Sequence, residues 1–387
     1  MESAVRTEQI LTLERRDLDQ LIEALCDRGY TVIGPVVRDG AIVHEPITSS
    51  SDLPVGWSDE QEAATYRLRG AGGEALFGCT VGPSSWKSFL HPPRLRLWHA
   101  RRGAKGLEAV EGEEPAPRYA FLGARACDLR AIAIQDRVLI DGPYPDPIYR
   151  GRREGAFIVV VQCGRAGRTC FCGSMGTGPR ARSGFDVALT EVLEDGRHCF
   201  LAVSGSRRGA ELLGSLPTRP AGQPEIDAAD RATARAGEQM GRRLETEGLP
   251  ELLGCSYEHP RWDDVARRCL TCGNCTQVCP TCFCTTVEDH LDPAGTTAER
   301  VRRWDSCFTP EFSYIHGGSV RPSGRSRYRQ WLTHKLGSWH AQFGSSGCVG
   351  CGRCITWCPA GIDLTEEVRA LRGSGQREEG NGGDGDA

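Results

Sequence analysis

Residues 269–284 read CLTCGNCTQVCPTCFC, and this stretch decides how the second half of the chain folds. Six of its residues are cysteines. A [4Fe-4S] cluster takes four cysteine thiolates, so six are too many for one cluster and too few for two. The stretch therefore predicts that further ligands come from elsewhere in the sequence.

The missing cysteines lie downstream, in CVGCGRCITWCP at residues 348–359. Both stretches follow the pattern C-x2-C-x2-C-x3-C-P of bacterial two-cluster ferredoxins, in which the fourth cysteine of each run ligates the other cluster. Gly273 and Gly352 are expected to ease the tight loops around the clusters. The predicted ligands are Cys269, Cys272, Cys275 and Cys358 for cluster one, and Cys348, Cys351, Cys354 and Cys279 for cluster two.

Two structural zinc sites are the alternative interpretation, because zinc also takes four cysteines. Zinc sites usually pair two CxxC motifs, whereas both halves here add a third CxxC step and a trailing Cys-Pro. The pattern therefore favours two [4Fe-4S] clusters.

Three further cysteines, Cys282, Cys284 and Cys307, accompany the first motif and are surplus to its pattern. One interpretation is burial beside the clusters, where a thiol acts as a small hydrophobic group. The other is ligation of a further centre, or hydrogen bonding that tunes the clusters. The sequence leaves both open.

A second group of cysteines lies in the first half of the chain. Cys127 follows a predicted strand in residues 118–128, and Cys163 ends another in 156–163, while Cys170 and Cys172 lie on a glycine-rich stretch. Ligands of open α/β sheets bind beyond the carboxyl ends of the strands. These four cysteines are therefore candidate ligands of a third Fe–S cluster. Buried structural thiols and a single metal ion are the alternatives.

The expected fold class is α+β or α/β, with a mixed α/β domain followed by a helical ferredoxin-like domain. Hairpins are predicted at Asp39-Gly40 and between residues 185–193 and 198–205. The predicted parts are an α/β domain at 1–225, a connecting helix at 226–250, a two-cluster domain with a long insertion at 251–371, and a disordered glycine-rich tail at 372–387.

The composition is that of a soluble globular protein, with 39% hydrophobic and 25% charged residues and a net charge of −4. No apolar run reaches the roughly 18 residues needed to span a bilayer, and the N-terminus lacks a signal-peptide core. Nineteen cysteines without an export signal indicate metal ligation rather than disulfides. We therefore expect a cytoplasmic protein without a membrane span.

Residues 299–335 are basic, with tryptophans interleaved. Such a stretch can bind nucleic acid, but the chain as a whole is mildly acidic and has no nucleic-acid fold motif. The favoured interpretation is that the cations balance the charge of the clusters or dock a partner protein. No nucleic acid is expected as a partner.

Five stretches together resemble the β subunit of soluble, NAD(P)-linked nickel–iron hydrogenases, the sulfhydrogenases. They are the first cysteine motif and residues 123–139 (GARACDLRAIAIQDRVL), 170–179 (CFCGSMGTGP), 302–308 (RRWDSCF) and 329–363. The same family includes the corresponding iron–sulfur subunit of anaerobic sulfite reductase. The resemblance implies an Fe–S electron-transfer subunit that works beside a flavoprotein subunit binding FAD and NAD(P)H. Its other partners would be a small Fe–S subunit and a nickel–iron subunit, or a sirohaem subunit in the sulfite reductase version.

No catalytic residue is predicted. The sequence has no dinucleotide fingerprint between a strand and a helix, no Walker loop and no pair of CxxC motifs suited to a nickel–iron centre. A non-catalytic electron-transfer subunit is the preferred function. A stand-alone oxidoreductase with Fe–S or flavin groups and a nucleic-acid-binding Fe–S protein are the alternatives.

Overall fold

A computed structural model describes residues 9–70, 72–103, 106–109, 117–194 and 196–378 of the chain. The strands, in chain order, are β1 (Leu11–Glu14), β2 (Thr31–Arg38), β3 (Ala41–Pro46), β4 (Trp57–Glu62), β5 (Thr65–Gly70), β6 (Arg94–Gly103), β7 (Gly106–Ala109), β8 (Tyr119–Ala124), β9 (Phe157–Val161), β10 (Val187–Glu194), β11 (Arg197–Ser204), β12 (Arg219–Pro220), β13 (Thr285–Leu291), β14 (Thr297–Trp304), β15 (Tyr314–Ile315) and β16 (Gly318–Ser319).

The helices connect and cover these strands. They are α1 (Leu18–Asp27), α2 (Lys87–Leu90), α3 (Ala126–Leu139), α4 (Pro147–Gly155), α5 (Arg207–Gly214), α6 (Gln223–Glu238), α7 (Leu249–Cys255), α8 (Arg261–Arg268), α9 (Asn274–Gln277), α10 (Gly324–Thr333), α11 (Trp339–Phe343), α12 (Arg353–Thr356) and α13 (Leu364–Glu378). A π-helix, His334–Ser338, joins α10 to α11.

An eight-stranded sheet forms the first half, in the order β12-β1-β11-β10-β9-β8-β2-β3. Strands β2, β8, β9 and β10 are parallel neighbours, and the outer strands pair antiparallel. Because β8 and β9 are adjacent and parallel, their carboxyl ends meet at one edge of the sheet. The residues that follow these two strands are therefore brought together.

Apolar periodicity explains how helices cover both faces of this sheet. Helix α1 buries Leu18, Leu21, Ile22 and Leu25 on one stripe, and α5 packs on the same face. Helices α3 and α4 cover the opposite face around Phe121.

The predicted hairpin between β2 and β3 is confirmed: Asp39 and Gly40 both have positive φ, as a tight two-residue turn requires. The predicted β10–β11 hairpin is confirmed as well.

The second half packs helices around the cysteine motifs. Its core joins α8, α10 and α13 through Trp262, Tyr328, Trp331 and Leu332. A mixed α/β first half followed by a largely helical second half is the fold class that the sequence predicts, and the prediction is confirmed. Within the described part of the chain, none of the helices is both long and apolar enough to cross a bilayer.

The two halves interleave in space. A four-stranded sheet has the order β13-β14-β6-β7, so the insertion between the cysteine motifs pairs with a strand from the first half. The β4–β5 hairpin also reaches the second half, where Ala64 N–H donates to Ile355 O at 3.3 Å. The insertion is therefore part of a shared sheet.

Two segments differ from their predicted form. A connecting helix is predicted over 226–250, but α6 ends at Glu238 and irregular chain follows to Gly248. In this irregular segment Arg242 forms ion pairs with Asp363 and Glu62. Side-chain contacts therefore take the place of helical backbone hydrogen bonds. The predicted tail begins at 372, whereas α13 continues to Glu378; residues 379–387 lie outside the described residues.

Candidate metal centres

The two cysteine motifs have the same backbone conformation. Gly273 and Gly352 have φ of 73° and 77°, which confirms the expected glycine turns. Two residues earlier, Thr271 and Gly350 also have positive φ, at 52° and 66°. A one-turn helix, α9 or α12, follows each glycine and carries the third cysteine. The two loops are therefore built as a matched pair.

The predicted ligands of cluster one line a single cavity. The first motif supplies three of its cysteines, and Cys358 of the second motif supplies the fourth, with Cys354 close by. Phe308, Tyr328 and Trp331 make the rest of the wall largely apolar. The structure thus brings the fourth cysteine of one motif to the first three of the other.

The predicted ligands of cluster two are likewise close enough to interact electrostatically. Cys279 influences the pKa values of Cys348, Cys351 and Cys354, all of which are buried or nearly so. Burial raises the pKa of Cys348 to about 12. A free Cys348 thiol therefore stays protonated, and metal binding would displace its proton.

Backbone N–H groups favour negatively charged sulfur at both sites. Thr271 N–H donates to Cys269 Sγ, and Gly350 N–H donates to Cys348 Sγ, each at 3.4 Å. These two bonds occupy the same position in the two motifs. Hydrogen bonds of this kind stabilise thiolate ligands and tune their clusters.

Buried donors without partners surround the cysteines. Tyr328 Oη and Trp331 Nε1 lie at the first cavity, and Arg353 Nη1 lies near Cys351. None of the three atoms finds a hydrogen-bond partner among the residues that the structure describes. Buried donors are nearly always satisfied, and cluster sulfides would supply the missing acceptors. The residues present therefore fit two [4Fe-4S] clusters.

In the described ranges, no group of three or more His, Cys, Asp or Glu side chains is arranged to hold one metal ion.

Two buried cations contact the predicted cluster-two ligands. Lys335, 5% exposed, places Nζ 3.3 Å from Cys279 Sγ. Although burial disfavours its charged form, the nearby Cys279 and Cys282 sulfurs raise the pKa of Lys335 well above its usual value. Arg353 is fully buried beside Cys351 and pairs with Asp128 at 3.1 Å. Cys279 in turn has a lowered pKa, because Cys282 and then Lys335 act on it.

Lys335 and Arg353 belong to the candidate site and were not predicted from the sequence. One signal could have found the lysine: the chain has only three lysines against dozens of arginines. Of these three, Lys87 and Lys335 are both buried next to the cysteine-rich segment, and Lys87 Nζ donates to Cys282 O at 3.2 Å. The rarity of lysine could therefore have marked Lys87 and Lys335 as candidate residues of the cysteine site.

The four cysteines of the first half also come together. Cys127 lies in the first turn of α3, beyond β8, and Cys163 lies beyond β9. Burial raises the pKa of both thiols. Cys170 and Cys172 interact electrostatically with each other and with Cys163, and Cys127 interacts with Cys172. The parallel neighbours β8 and β9 explain the convergence.

This first-half group adjoins cluster two directly. Cys127 and Cys172 pack with Cys351, and Phe171 N–H donates to Gly350 O at 2.8 Å. A Cβ on Gly350 would lie 2.7 Å from backbone atoms of residues 171 and 172. Glycine is therefore required for the two loops to approach this closely.

The arginines of the basic stretch are mostly paired with carboxylates. Arg325 and Arg329 contact Glu258, and Arg302 contacts Asp146. Local acidic side chains therefore neutralise most of these arginines, whereas Lys335 lies beside the predicted cluster-two ligand Cys279.

Comparison with known proteins agrees with this geometry. The family described as 4Fe-4S dicluster domain matches residues 268–362, which span both motifs and the insertion between them. Sulfhydrogenase 2 subunit beta of Pyrococcus furiosus is 36% identical over 289 residues, covering 73% of this chain and 82% of that protein. The similarity therefore extends well beyond the cysteine motifs.

Proposed function

The chain belongs to the sulfhydrogenase β-subunit family, and from this premise we propose that it relays single electrons between a flavoprotein subunit and the catalytic subunit of a cytoplasmic oxidoreductase complex. It is an iron–sulfur electron-transfer subunit with two [4Fe-4S] clusters. The FAD- and NAD(P)H-binding subunit and the small Fe–S and nickel–iron subunits are the proposed partners. The named relative favours a hydrogenase over a sulfite reductase complex.

One observation carries the proposal: each motif contributes its fourth cysteine to the other site. Cys358 lines the cavity of the first motif, and Cys279 lies among the cysteines of the second. Clusters held there accept and pass on one electron at a time. The exchanged cysteines tie the two sites side by side, which suits transfer between them.

Substitution of the exchanged cysteines tests this arrangement. Cys358→Ser should disturb the cluster held by Cys269, Cys272 and Cys275, although these lie far away in sequence. Spin coupling between the two clusters, seen by EPR of the fully reduced protein, should then disappear. Cys255→Ser, at an exposed thiol, is the matched control. Unchanged coupling in Cys358→Ser would contradict the proposed ligand exchange.

We also propose a third Fe–S cluster at Cys127, Cys163, Cys170 and Cys172. Its support is the convergence of these four residues at the edge of the sheet, beside Cys351. The three centres would then form one chain, with cluster two in the middle. Cys170→Ser should lower the iron content by about four per chain. An unchanged iron content would assign these thiols a structural role.

A reconstituted complex tests the relay itself. NAD(P)H should reduce the clusters of this chain only when the flavoprotein subunit is present. Reduction by NAD(P)H of the isolated chain would instead favour a stand-alone oxidoreductase.

A further inference from the structure

Cys272 is the point at which the predicted cluster ligands reach the surface. The structure describes all the predicted ligands of the three candidate clusters, and Cys272 is the exposed one among them. The others are buried or half-buried, and the ligands of cluster two include the buried Cys279, Cys348 and Cys351. Cluster one is therefore the centre most accessible to a second protein.

The mouth of the cluster-one cavity is apolar. Leu270, two residues before Cys272, lines this cavity and is 65% exposed. Pro359 and Ala360 line it as well, and Pro359 is exposed. None of these side chains carries a charge, so the exposed ligand is framed by apolar surface.

A second exposed apolar element is the β15–β16 hairpin. Residues 312–320 read FSYIHGGSV and include no Asp, Glu, Lys or Arg. Tyr314 pairs with Ser319 across the hairpin, while Tyr314, Ile315 and Val320 are 65%, 60% and 51% exposed. Exposed apolar side chains that lie together mark interaction sites more often than bare surface. The hairpin is therefore suited to contact with another protein.

Buried contacts fix the base of this hairpin beside cluster one. Arg327 is buried and donates to the carbonyl oxygens of Arg321, Pro322 and Phe308 at 2.8, 3.2 and 3.3 Å. Phe308 in turn lines the cluster-one cavity. A Cβ on Gly324 would lie 3.0 Å from Thr271 Cγ2, so the chain that follows the hairpin packs on the cluster-one loop.

We call these exposed side chains the docking surface: Leu270, Phe312, Tyr314, Ile315 and Val320. Aromatic and aliphatic side chains without charge are typical of the core of a permanent subunit interface. A freely diffusing electron carrier would instead be steered by charged side chains, and the docking surface has none. Its composition therefore favours a permanent subunit as the partner.

We propose that the docking surface binds the flavoprotein subunit, so that electrons enter this chain at cluster one. This assignment rests on the proposed function, in which the flavoprotein subunit is the electron donor. Lys335 Nζ lies 3.3 Å from Cys279 Sγ and favours an electron on cluster two, so transfer onward from cluster one is favourable. The flavin loses one electron and cluster one gains it, and no bond forms or breaks.

The affinity of the flavoprotein subunit for the full-length chain tests the docking surface. Both proteins are prepared anaerobically with their full iron and flavin content. Ile315→Glu places a charge in the docking surface and should weaken binding by about tenfold or more. Leu291→Glu is the matched control, because Leu291 is 70% exposed at the end of β13, outside the docking surface. It should bind within about twofold of wild type.

Hydrogen–deuterium exchange of the wild-type chain gives a second measurement, which needs no variant. Binding of the flavoprotein subunit should slow the exchange of backbone amides in residues 312–320. The amides of residues 285–291, in β13, should exchange at the same rate with and without the partner.

Three results would overturn the assignment. They are an unchanged affinity of Ile315→Glu or unchanged exchange at residues 312–320, equal weakening by Leu291→Glu, and protection of the hairpin by the small Fe–S subunit in place of the flavoprotein subunit. A flavoprotein subunit that does not bind wild type at all would contradict the proposed function as well. A wild-type complex whose clusters NAD(P)H reduces, with normal binding by Ile315→Glu, would contradict the docking surface alone.

Discussion

Lys335 is the residue whose charge distinguishes the two predicted clusters. Its Nζ contacts Cys279 Sγ, Thr281 Oγ1 and Gly347 O, and no carboxylate lies within ion-pair distance among the described residues. Among the described residues that line the cavity of cluster one, Tyr328 and Trp331 carry buried donors without a partner, and neither is charged. A nearby cation favours the reduced, more negative cluster, so cluster two should have the higher reduction potential.

Lys335→Met should therefore lower the midpoint potential of cluster two. A charged hydrogen bond of about 1.4 kcal/mol corresponds to roughly 60 mV for a one-electron couple. An EPR-monitored redox titration measures the shift. Lys335→Arg keeps the charge and should stay close to wild type. Equal shifts of both clusters in Lys335→Met would contradict this assignment.

At the scale of elements, the close approach of two loops joins the halves. Gly350 has positive φ, and a Cβ there would clash with the backbone of residues 171 and 172. Gly350→Ala should cost about 2–4 kcal/mol of unfolding free energy, measured anaerobically by denaturant titration. Gly184 has a similar φ but open space around it, so Gly184→Ala should cost about 1 kcal/mol. Equal losses of unfolding free energy in Gly350→Ala and Gly184→Ala would show that the close approach of the loops at Gly350 does not contribute to stability.

A second link between the halves is the ion pair of Asp146 and Arg302. Asp146 caps α4 by accepting hydrogen bonds from Ile148 N–H and Tyr149 N–H, and Arg302 lies on β14. The two side chains are only 10% and 14% exposed, so Asp146→Asn should destabilise the protein by about 2–3 kcal/mol.

The matched control for this ion pair is on the same strand. Arg300 pairs with Asp289 at the surface, and Asp289→Asn should leave the unfolding transition unchanged because exposed pairs contribute little. Asp146→Ala should cost about 1 kcal/mol more than Asp146→Asn, since it also removes the cap. An Asp146→Asn protein as stable as wild type would show that β14 does not depend on this contact.

At the scale of the whole molecule, local patterns were predictable and distant contacts were not. Cysteine spacing predicted the matched loops, and Asp39-Gly40 predicted its hairpin, because neighbouring residues determine both. The pairing of β6 with β14 depends on segments far apart in the chain, and no periodicity reports it. The contact of Lys335 with Cys279 likewise arises from tertiary packing at a π-helix.

The same limit applies to the first-half cysteines. Cys127 and Cys163 each follow a predicted strand, and ligands bind beyond the carboxyl ends of strands in open α/β sheets. This position predicted that they form one group with Cys170 and Cys172. That this group adjoins Cys351 could not be predicted, since it requires the two halves to interleave. Because the first-half cysteines contact Cys351, the proposed third cluster and cluster two would lie on one path for electrons.

Iron and acid-labile sulfide per chain, measured on anaerobically purified protein together with zinc, test the central claim most directly. The proposed relay of two ferredoxin-type clusters and one first-half cluster predicts about twelve irons and twelve sulfides. About eight irons would contradict the first-half cluster, and fewer than about eight, or zinc in their place, would contradict the relay as a whole.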